Sequence, residues 1–418
     1  MSVKWQTKPL KDYCSDYKSG IVDGPFGSNL KKEHFTSEGV PVLKIQNIKI
    51  SGINNKNLNY VSKDKAEELK RHSFNKLDII MTKLGNPLGI SAIVNDIEEG
   101  VIVADLVRIR ADKIDTKFLC YQLNSPIIRN FINSKQKGAT RPRVKLEVVR
   151  NLPISTPSLP EQKRIVAILD KAFEGIDTAI ANTEKNLANA RELFDSYLNQ
   201  ALLKIATGQI KQTLSCITEL IIDCEHKTAP TQEKGFPSIR TPNIGKGKLV
   251  LDGVKRVSSE TYEAWTKRGK PKSGDLILAR EAPAGNVGVI PDGEKVCLGQ
   301  RTVLIRPKPD INPKFLAFLM LHPCMQKRLL SSSTGATVQH VNMKDIRKLG
   351  LSELPSKILQ DELANRIEES QNLADQVVKI YEHKLSSLSE LKQSILNKAF
   401  SGELTTIKDD ELRTEEVA

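Results

Sequence analysis

The sequence predicts an α+β protein with two duplicated domains, joined by two long antiparallel coiled-coil helices that give the chain an internal pseudo-two-fold symmetry. Three observations lead to this fold class. Similar residues recur about 197 positions apart, short β-like runs punctuated by Gly, Pro and Asn fill the first part of each half, and a stripe of apolar residues at steps of three and four fills the second part. A chain of 418 residues has room for about two to four domains.

The repeat is clearest around two Gly-Ala-Thr turns. One lies in KGATRPRVKLEVVRNL, which starts at Lys137, and the other in TGATVQHVNMKDIRKL, which starts at Thr334. Between the turn and the next shared valine, the first stretch has Arg-Pro-Arg and the second has Val-Gln-His. Further residues recur in both halves: Asp23 and Asp223, Asp78 and Asp275, Lys83 and Arg280, and Phe118 and Phe315. A repeat of about 200 residues is much longer than a solenoid unit, so we predict a duplicated domain pair.

Each half begins with short strands and continues into amphipathic helix. Strands are predicted at 40–45, 77–81 and 101–108, with partners near Ile239, Leu276 and Val303. Amphipathic helices are predicted at 118–133 and 314–330. This mixture predicts a compact α+β domain in each half.

A long helix is predicted after each domain. The segment after Pro160 runs to Ala206 without a further proline, and a second segment of the same kind follows Pro355. The apolar stripe of the first helix consists of Ile165, Leu169, Ala172, Ile176, Ala179, Thr183 as its polar exception, Leu187, Ala190, Phe194, Leu198 and Ala201. The stripe of the second consists of Leu363, Ile367, Ser370, Ala374, Val377, Tyr381, Leu385, Leu388, Leu391, Ile395 and Ala399. Helices of about 45 residues span roughly 65–70 Å, and two equal heptad stripes predict antiparallel packing that carries the two domains at opposite ends.

These features divide the chain into five predicted segments. They are a first domain (1–157), a central helix (158–208), a second domain (209–354), a C-terminal helix (355–402) and an acidic flexible tail (403–418).

The composition favours a cytoplasmic protein with a polyanionic partner. Hydrophobic residues make up 39% and charged residues 27% of the chain, and no apolar run is long enough to predict a membrane span or a signal peptide. The six cysteines form no CxxC pair, which is typical of a reducing compartment. Cys216, Cys224 and His226 lack a second ligand pair, so a zinc site is not favoured. The net charge of +13 favours binding to nucleic acid.

Catalytic signatures are absent from the sequence. It has no GxxxxGK[ST], GxGxxG, HExxH or GxSxG motif. Asn86-Pro87-Leu88 is only a fragment of the Asn-Pro-Pro loop that amino-methyltransferases use, and the acids at Asp292 and Glu294 are explained by a Pro-Asp-Gly turn. We therefore predict a protein without intrinsic catalysis.

Several of these stretches together resemble the specificity subunit of type I restriction-modification systems. The marks are the first Gly-Ala-Thr turn, LPISTPSLPEQKRI from Leu152 into the first long helix, LPSKILQ from Leu354 and AFSGEL from Ala399. The openings DGPFGS from Asp23 and DCEHKT from Asp223 resemble those of target-recognition domains in that family. The likeness covers nearly the whole chain, although the second copy has Leu359 where the first has Glu161.

The resemblance implies a function in DNA recognition. The two domains would be target-recognition domains that each read one half of a bipartite, asymmetric site in double-stranded DNA, and the helices would set the gap. Two methyltransferase (M) subunits and restriction motor-nuclease (R) subunits are the implied partners. S-adenosylmethionine, ATP and Mg²⁺ are expected on those partners, and no cofactor is expected on this chain. A stand-alone DNA-binding regulator and a coiled-coil scaffold without a DNA role are the alternatives.

The candidate DNA-binding residues are polar or basic and fall in equivalent loops. Arg and Lys suit guanine edges, Asn and Gln suit adenine edges, and Lys, Arg, Ser and Thr suit phosphates. The candidates in the first domain are Ser28, Asn29, Lys31, Lys44, Gln46, Asn47, Lys83, Arg141 and Arg143. Those in the second domain are His226, Lys227, Arg240, Asn243, Arg280, Gln339 and His340. Because a basic residue recurs at Lys44/Arg240 and at Lys83/Arg280, these two pairs are predicted to clamp phosphates.

Overall fold

Each half of the chain forms one α+β domain that packs on part of both long helices. A computed structural model describes residues 5–138, 140–281, 283–331, 340–401 and 403. The chain divides into two units, of which unit 1 comprises Met1–Thr183 with Lys384–Ala418 and unit 2 comprises Glu184–His383. The second Gly-Ala-Thr turn and the predicted tail beyond residue 403 lie outside the described residues.

The first domain consists of short strands followed by short helices. Its strands are β1 (Gln6–Pro9), β2 (Ile21–Asp23), β3 (Phe35–Thr36), β4 (Val40–Leu43), β5 (Ile48–Lys49), β6 (Gly52–Ile53), β7 (Asn59–Val61), β8 (Ser73–Asn75), β9 (Ile79–Thr82), β10 (Ser91–Ile93), β11 (Glu99–Ile102), β12 (Leu106–Ile109) and β13 (Pro153–Thr156). Its helices are α1 (Tyr17–Gly20), α2 (Lys63–Glu68), α3 (Thr116–Leu123), α4 (Pro126–Ser134) and α5 (Leu146–Arg150), and the long helix α6 (Leu159–Ala206) follows.

The second domain repeats this order. Its strands are β14 (Gln212–Thr213), β15 (Thr218–Asp223), β16 (Phe236–Ile239), β17 (Gly247–Lys248), β18 (Arg256–Val257), β19 (Leu276–Ala279), β20 (Val287–Val289), β21 (Cys297–Leu298), β22 (Thr302–Pro307) and β23 (Gly350–Leu351). Its helices are α7 (Ser259–Trp265), α8 (Pro313–Leu321), α9 (Pro323–Leu330) and α10 (Met343–Arg347), and the long helix α11 (Lys357–Ser401) follows.

The sheets confirm that the domain is duplicated. The central sheet of the first domain has the order β10-β9-β12-β2, and that of the second has the matching order β20-β19-β22-β15, with β17 added beside β20. A second sheet contains β7-β4-β11 in one domain and β18-β16-β21 in the other, and the β4–β11 and β16–β21 pairs are both parallel. The small β1–β13 sheet matches β14–β23. The α+β class and the internal repeat are therefore as predicted.

Some predicted boundaries are wrong, and proline or a turn explains each error. The single strand predicted at 101–108 is two strands, β11 and β12, because the chain turns between them. The helix predicted at 118–133 is broken before Pro126, and the one predicted at 314–330 is broken before Pro323. Each proline occupies the first turn of the following helix, where its missing N–H is not needed, but it cannot continue the preceding helix.

The long helices α6 and α11 are present as predicted, and their stripes face the interior. Along α6, Ile165, Leu169 and Leu198 are among the most buried residues. Ile367, Ala374 and Ala399 of α11 are buried as well. In unit 1, residues of both helices belong to the apolar core of the first domain. In unit 2, other residues of both helices belong to the apolar core of the second domain.

The contacts between the helices within each unit are antiparallel, with one error in the predicted stripe. In unit 2, Arg191 pairs with Glu382 at 2.9 Å, and farther along α6 Asp195 lies beside the loop that Gln371 of α11 also contacts. Leu391 was predicted to face the seam but is 46% exposed. In that turn Lys392 lies inward instead, where it pairs with Asp177 and covers the Phe173 ring.

Candidate nucleic-acid interface

A short turn after β4 holds three of the predicted binding residues. Lys44 precedes a single 3-10 turn at Ile45–Asn47, and its backbone N–H donates to Asn47 Oδ1 at 2.9 Å. Asn47 Nδ2 donates to the carbonyl of Asn54 at 2.9 Å, and only 2% of Asn47 is exposed. The amide of Asn47 is therefore used up inside the loop and is not available to a base edge. Gln46, between them, is exposed.

The second domain builds the same turn after β16. The backbone N–H of Arg240 donates to Asn243 Oδ1 at 3.1 Å, and Asn243 Nδ2 reaches the carbonyl of Val250 at 3.4 Å. Because the asparagine makes the same two contacts in both domains, its recurrence reflects the frame of the turn. Of the predicted DNA-binding residues, Asn47 and Asn243 therefore have a structural role in this turn.

The basic residue of this turn differs in its surroundings between the domains. Lys44 is partly buried, with Nζ 4.2 Å from the centroid of the Phe35 ring, and burial lowers the pKa of Lys44. Arg240 is exposed beside a small cavity that Lys255 and Gln300 also line. Of the two, Arg240 is therefore more accessible to a phosphate.

The second recurring basic pair forms ion pairs inside the domains. Lys83 Nζ lies 2.6 Å from Asp23 Oδ2, and Arg280 Nη1 lies 2.5 Å from Asp223 Oδ2. The Lys83 side chain is 18% exposed and that of Arg280 only 7%. Lys83 and Arg280 thus each form an internal ion pair, and the phosphate clamp at these residues stays a prediction. The sequence contained the signal, since both aspartates recur together with both basic residues.

Arg280 is the centre of a larger polar network in the second domain. Its Nε donates to the carbonyl of Val341 at 2.9 Å, and its Nη2 lies 2.9 Å from His340 Nε2. An arginine has only donors, so Nε2 of His340 must accept, and the proton on Nδ1 is donated to Glu281 at 2.5 Å. Both ring nitrogens of His340 are therefore engaged within the domain. Arg301 also pairs with Glu281, at 3.0 Å.

The position equivalent to His340 in the first domain is Arg143, and its environment is different. Lys137 and Arg143 exchange backbone hydrogen bonds of 2.9 Å in both directions, and Gly85 donates to Pro142 at 2.9 Å. These bonds anchor the segment of the first Gly-Ala-Thr turn. Arg141 and Arg143 are exposed, and among the described residues neither side chain has an ion pair or hydrogen bond. The first domain thus presents two free guanidinium groups where the second has an engaged histidine.

The same backbone frame carries these different side chains. A β-bridge joins Leu84 to Arg143 in the first domain, and the equivalent bridge joins Glu281 to His340 in the second. Gln339, the other candidate in this segment, lies outside the described residues. The backbone frame predicted from the repeat is therefore present where the segment ends, at Val144 and Val341, and both of these valines are buried.

The loop after the second strand of each domain, which is β2 or β15, supplies the remaining candidates. Ser28, Asn29 and Lys31 are exposed, and Lys31 lies 3.6 Å from Glu33. In the second domain His226 and Lys227 are exposed, and His226 Nε2 is 3.4 Å from Asp223. All five residues are accessible to a ligand.

The structure brings the candidate loops of each domain together. In the first domain Lys83 joins the Asp23 loop to the loop after β9, which the 137–143 segment also contacts. In the second domain Asp223 and Arg280 make the same connection, and Gln300 Nε2 donates to the carbonyl of His226 at 3.2 Å. Loops far apart in sequence are thus linked by hydrogen bonds within each domain.

Sequence reasoning missed some residues near these loops. Phe26 lies in the loop after β2, and 82% of its surface is exposed. It belongs to the DGPFGS opening, in which only a polar residue is predicted to bind DNA. Gln300 and Arg301 lie near the equivalent loop of the second domain, and Arg301 has a φ of 69°. An aromatic residue between glycines is a sequence signal that could have identified Phe26 as a candidate, whereas no feature of the sequence identifies Arg301.

The described residues show three further features that bear on function. Within the described ranges, no group of three or more His, Cys, Asp or Glu side chains is arranged to hold a metal ion. All six cysteines are free, and Cys224 is buried whereas Cys216 is exposed. In the part of the chain that the structure describes, no helix is long and apolar enough to cross a membrane.

Comparison with protein families gives a match over most of the chain. The model of the type I restriction modification DNA specificity domain matches residues 3–189 and again residues 222–375. The chain is 25% identical to the Escherichia coli type I restriction enzyme EcoBI specificity subunit over 72% of its own length and 68% of that protein's length. It is also 25% identical to the EcoKI specificity subunit of Escherichia coli strain K12, over 91% of this chain and 86% of that protein.

Solved structures share the fold. A chain from a structure described as the structural basis of complex assembly and conformational transition of the type I R-M system superposes with a TM-score of 0.70 at 18% identity, covering 95% of this chain and 97% of that chain. The HsdS subunit from Thermoanaerobacter tengcongensis gives a TM-score of 0.52 at 18% identity, covering 95% and 96%.

Proposed function

The chain belongs to the type I restriction modification DNA specificity family, and we propose that each of its two domains reads one half of a bipartite, asymmetric site in double-stranded DNA. The two matched family regions fall on the two α+β domains and continue into the long helices. The relatives are named specificity subunits of type I restriction enzymes. This chain acts as such a specificity subunit.

One observation carries this proposal: two domains share a backbone frame but differ in the side chains that the frame presents. Bases are distinguished by the donors and acceptors on their edges, so two different half-sites need different side chains. Arg141 and Arg143 suit guanine edges or phosphates, whereas the equivalent segment of the second domain contains His340 engaged with Arg280. The exposed candidates Gln46, Lys227 and Arg240 add further differences.

The chemistry would belong to partner subunits. Two methyltransferase subunits would bind S-adenosylmethionine and methylate adenine, and restriction motor-nuclease subunits would use ATP and Mg²⁺. This chain would bind no cofactor and would act in the cytoplasm, with its long helices setting the gap between half-sites. The absence of catalytic motifs from the sequence is consistent with this division of labour.

The proposal is tested by mapping N6-methyladenine in a host that carries this chain and its methyltransferase partner. We expect one bipartite motif with a fixed gap. Replacing both Arg141 and Arg143 by Ala should relax the sequence of one half only, and replacing both His226 and Lys227 by Ala should relax the other half. The control is Lys63→Ala with Arg71→Ala, which removes two exposed basic residues of the first domain outside the candidate loops.

Each outcome separates the alternatives. A wild-type chain that produces no bipartite motif would contradict the proposal. Equal weakening of both halves by the Arg141 and Arg143 variant would show that these residues bind phosphates without reading sequence. In a gel shift, a regulator would bind DNA alone, a scaffold would bind none, and a specificity subunit would bind well only with the methyltransferase present.

A further inference from the structure

A buried glutamine lies in the first turn of the long helix α6. Only 5% of Gln162 is exposed. Its Oε1 accepts from the backbone N–H of Asp115 at 3.0 Å, and its Nε2 donates to the carbonyl of Pro157 at 3.0 Å. Asp115 caps the N-terminus of α3, and Pro157 lies just before α6. A single side chain therefore ties a helix of the recognition domain to the start of the long helix.

The second half repeats this arrangement. Gln360 is 2% exposed, its Oε1 accepts from the backbone N–H of Asn312 at 2.9 Å, and its Nε2 donates to the carbonyl of Pro355 at 2.9 Å. Asn312 is the N-cap of α8, the equivalent of α3. The change from Glu161 to Leu359 beside the glutamine leaves both contacts in place. The same two hydrogen bonds at both joints indicate a shared mechanical role.

A second contact lies two turns along each long helix. Lys117 of α3 pairs with Asp170 of α6 at 2.8 Å, and Lys314 of α8 pairs with Glu368 of α11 at 2.7 Å. These ion pairs are exposed and contribute little alone. Together with the buried glutamine, they make a two-point attachment, which restricts both the direction and the rotation of the helix against its domain. The glutamine is the stronger point because its own side chain is buried and it makes two hydrogen bonds to the backbone, where an unmade hydrogen bond is costly.

We propose that Gln162 and Gln360 are positioning residues that fix how each long helix leaves its recognition domain, and thereby restrict the gap between the two half-sites that the protein accepts. This inference rests on the proposed function. Adding one base pair to the gap moves one half-site by about 3.4 Å along the DNA and by about 35° around it. A flexible connection between the domain and its long helix would accommodate such a change. A connection that is fixed at two points would resist the change and become strained.

The test is the distribution of gap lengths in the methylated sites of a host that carries the full chain and its methyltransferase partner. Gln162→Leu keeps the size of the side chain and removes both hydrogen bonds. We expect the half-site sequences to stay the same, and the ratio of methylation at the native gap to methylation at gaps one base pair longer or shorter to fall about tenfold. Gln360→Leu should have the same effect.

The matched control is Gln122→Leu. Gln122 is also buried, but its Nε2 donates to the carbonyl of Ser155 at 2.8 Å within the first domain, and among the described residues it makes no side-chain hydrogen bond to the long helix. The equivalent residue of the second domain is Leu319. The control should keep the native gap preference. If Gln162→Leu lowered methylation at all sites without broadening the gap, or if Gln122→Leu broadened it equally, the inference would be overturned.

A further variant covers the case in which Gln162→Leu does not fold. Gln162→Glu keeps an acceptor for the N–H of Asp115 and loses the donor to Pro157, so we expect a smaller broadening of the gap. An unchanged gap distribution in a folded Gln162→Glu protein would then refute the role. Failure of the proposed function is distinguishable, because in that case the wild-type chain itself would give no fixed bipartite motif.

Discussion

Removal of the Arg280 side chain tests whether the recurring basic residues hold the fold or bind phosphate. In Arg280→Ala, the Asp223 carboxylate, which is 19% exposed, loses its closer partner and keeps only His226 at 3.4 Å, and the carbonyl of Val341 and Nε2 of His340 lose a donor. Breaking a buried ion pair from one side costs about 3–5 kcal/mol. We therefore expect the free energy of unfolding of the second domain to fall by about that amount.

The equivalent change in the first domain should be milder. Lys83 makes one ion pair, with Asp23, and the two side chains are 18% and 31% exposed. Water can therefore solvate Asp23 after Lys83→Ala, and we expect a loss of about 1 kcal/mol. The difference of about 2 kcal/mol or more between the two variants follows from the deeper burial of Arg280 and from its two additional hydrogen bonds, since both residues occupy equivalent positions.

The chain offers a separate fluorescence reporter for each domain. Its two tryptophans are Trp5, which packs near Phe118 in unit 1, and Trp265 at the end of α7 in unit 2. Urea unfolding of Arg280→Ala is followed in a Trp5→Phe background, and that of Lys83→Ala in a Trp265→Phe background. A double-mutant cycle with Asp223→Ala isolates the pair, and we expect a coupling of about 2 kcal/mol or more.

The result that would refute this reasoning is specific. An ordinary surface substitution changes the free energy of unfolding by less than about 0.5 kcal/mol. If Arg280→Ala had an effect this small and also reduced the salt dependence of DNA binding, Arg280 would be a phosphate contact and its ion pair with Asp223 would be incidental.

Two further predictions concern the first domain. Leu77 has a φ of 73° and is 64% exposed, whereas the equivalent Gly274 has a φ of 81°. Leu77→Gly should therefore stabilise unit 1 by about 0.5–1 kcal/mol in urea unfolding, and Gly274→Leu should destabilise unit 2. A lower free energy of unfolding for Leu77→Gly would contradict this account. Phe26→Ala should leave stability within about 0.5 kcal/mol but weaken binding of the methyltransferase complex to its DNA site about tenfold, since exposed aromatic residues stack on bases or wedge between them. Ile127→Ala, at a residue 45% exposed on α4, is the control, and equal affinities for all three proteins would remove Phe26 from the interface.

The fold could be predicted because periodicity and repetition both depend on burial. Each long helix has a regular apolar stripe, and the longer duplicated strands carry matching apolar runs, so the sequence indicated the repeat and the two long helices. Most of the short strands were not predicted. The errors came from local chemistry. Pro126 and Pro323 break helices whose apolar pattern continues across the break, and Lys392 replaces Leu391 in the seam because it can pair with Asp177.

The sequence could predict the loops of the candidate site but not the contacts that their residues make. The candidate loops were predicted correctly as loops, since Gly, Pro and Asn punctuate them. The role of each residue depended on three-dimensional partners that sequence distance hides. Asp23 lies 60 residues from Lys83 in the chain and 2.6 Å from it in space. Asn47 looked like a base reader because its type suits adenine, yet its amide is needed to close its own turn.

A difference between the two halves does not by itself mark a residue that reads DNA. In unit 2, Lys246 lies 2.5 Å from Asp195 of α6, and Lys248 pairs with Asp375 of α11. The equivalent positions in unit 1 hold Ile50 and Gly52, where a cavity of about 690 Å³ lies against the long helices. Both lysines add to the net charge of +13, but their partners are carboxylates of this chain. The positive charge predicts a polyanion for the protein as a whole, whereas only a basic side chain without an internal partner, such as Arg141 or Arg143, is ready to contact it.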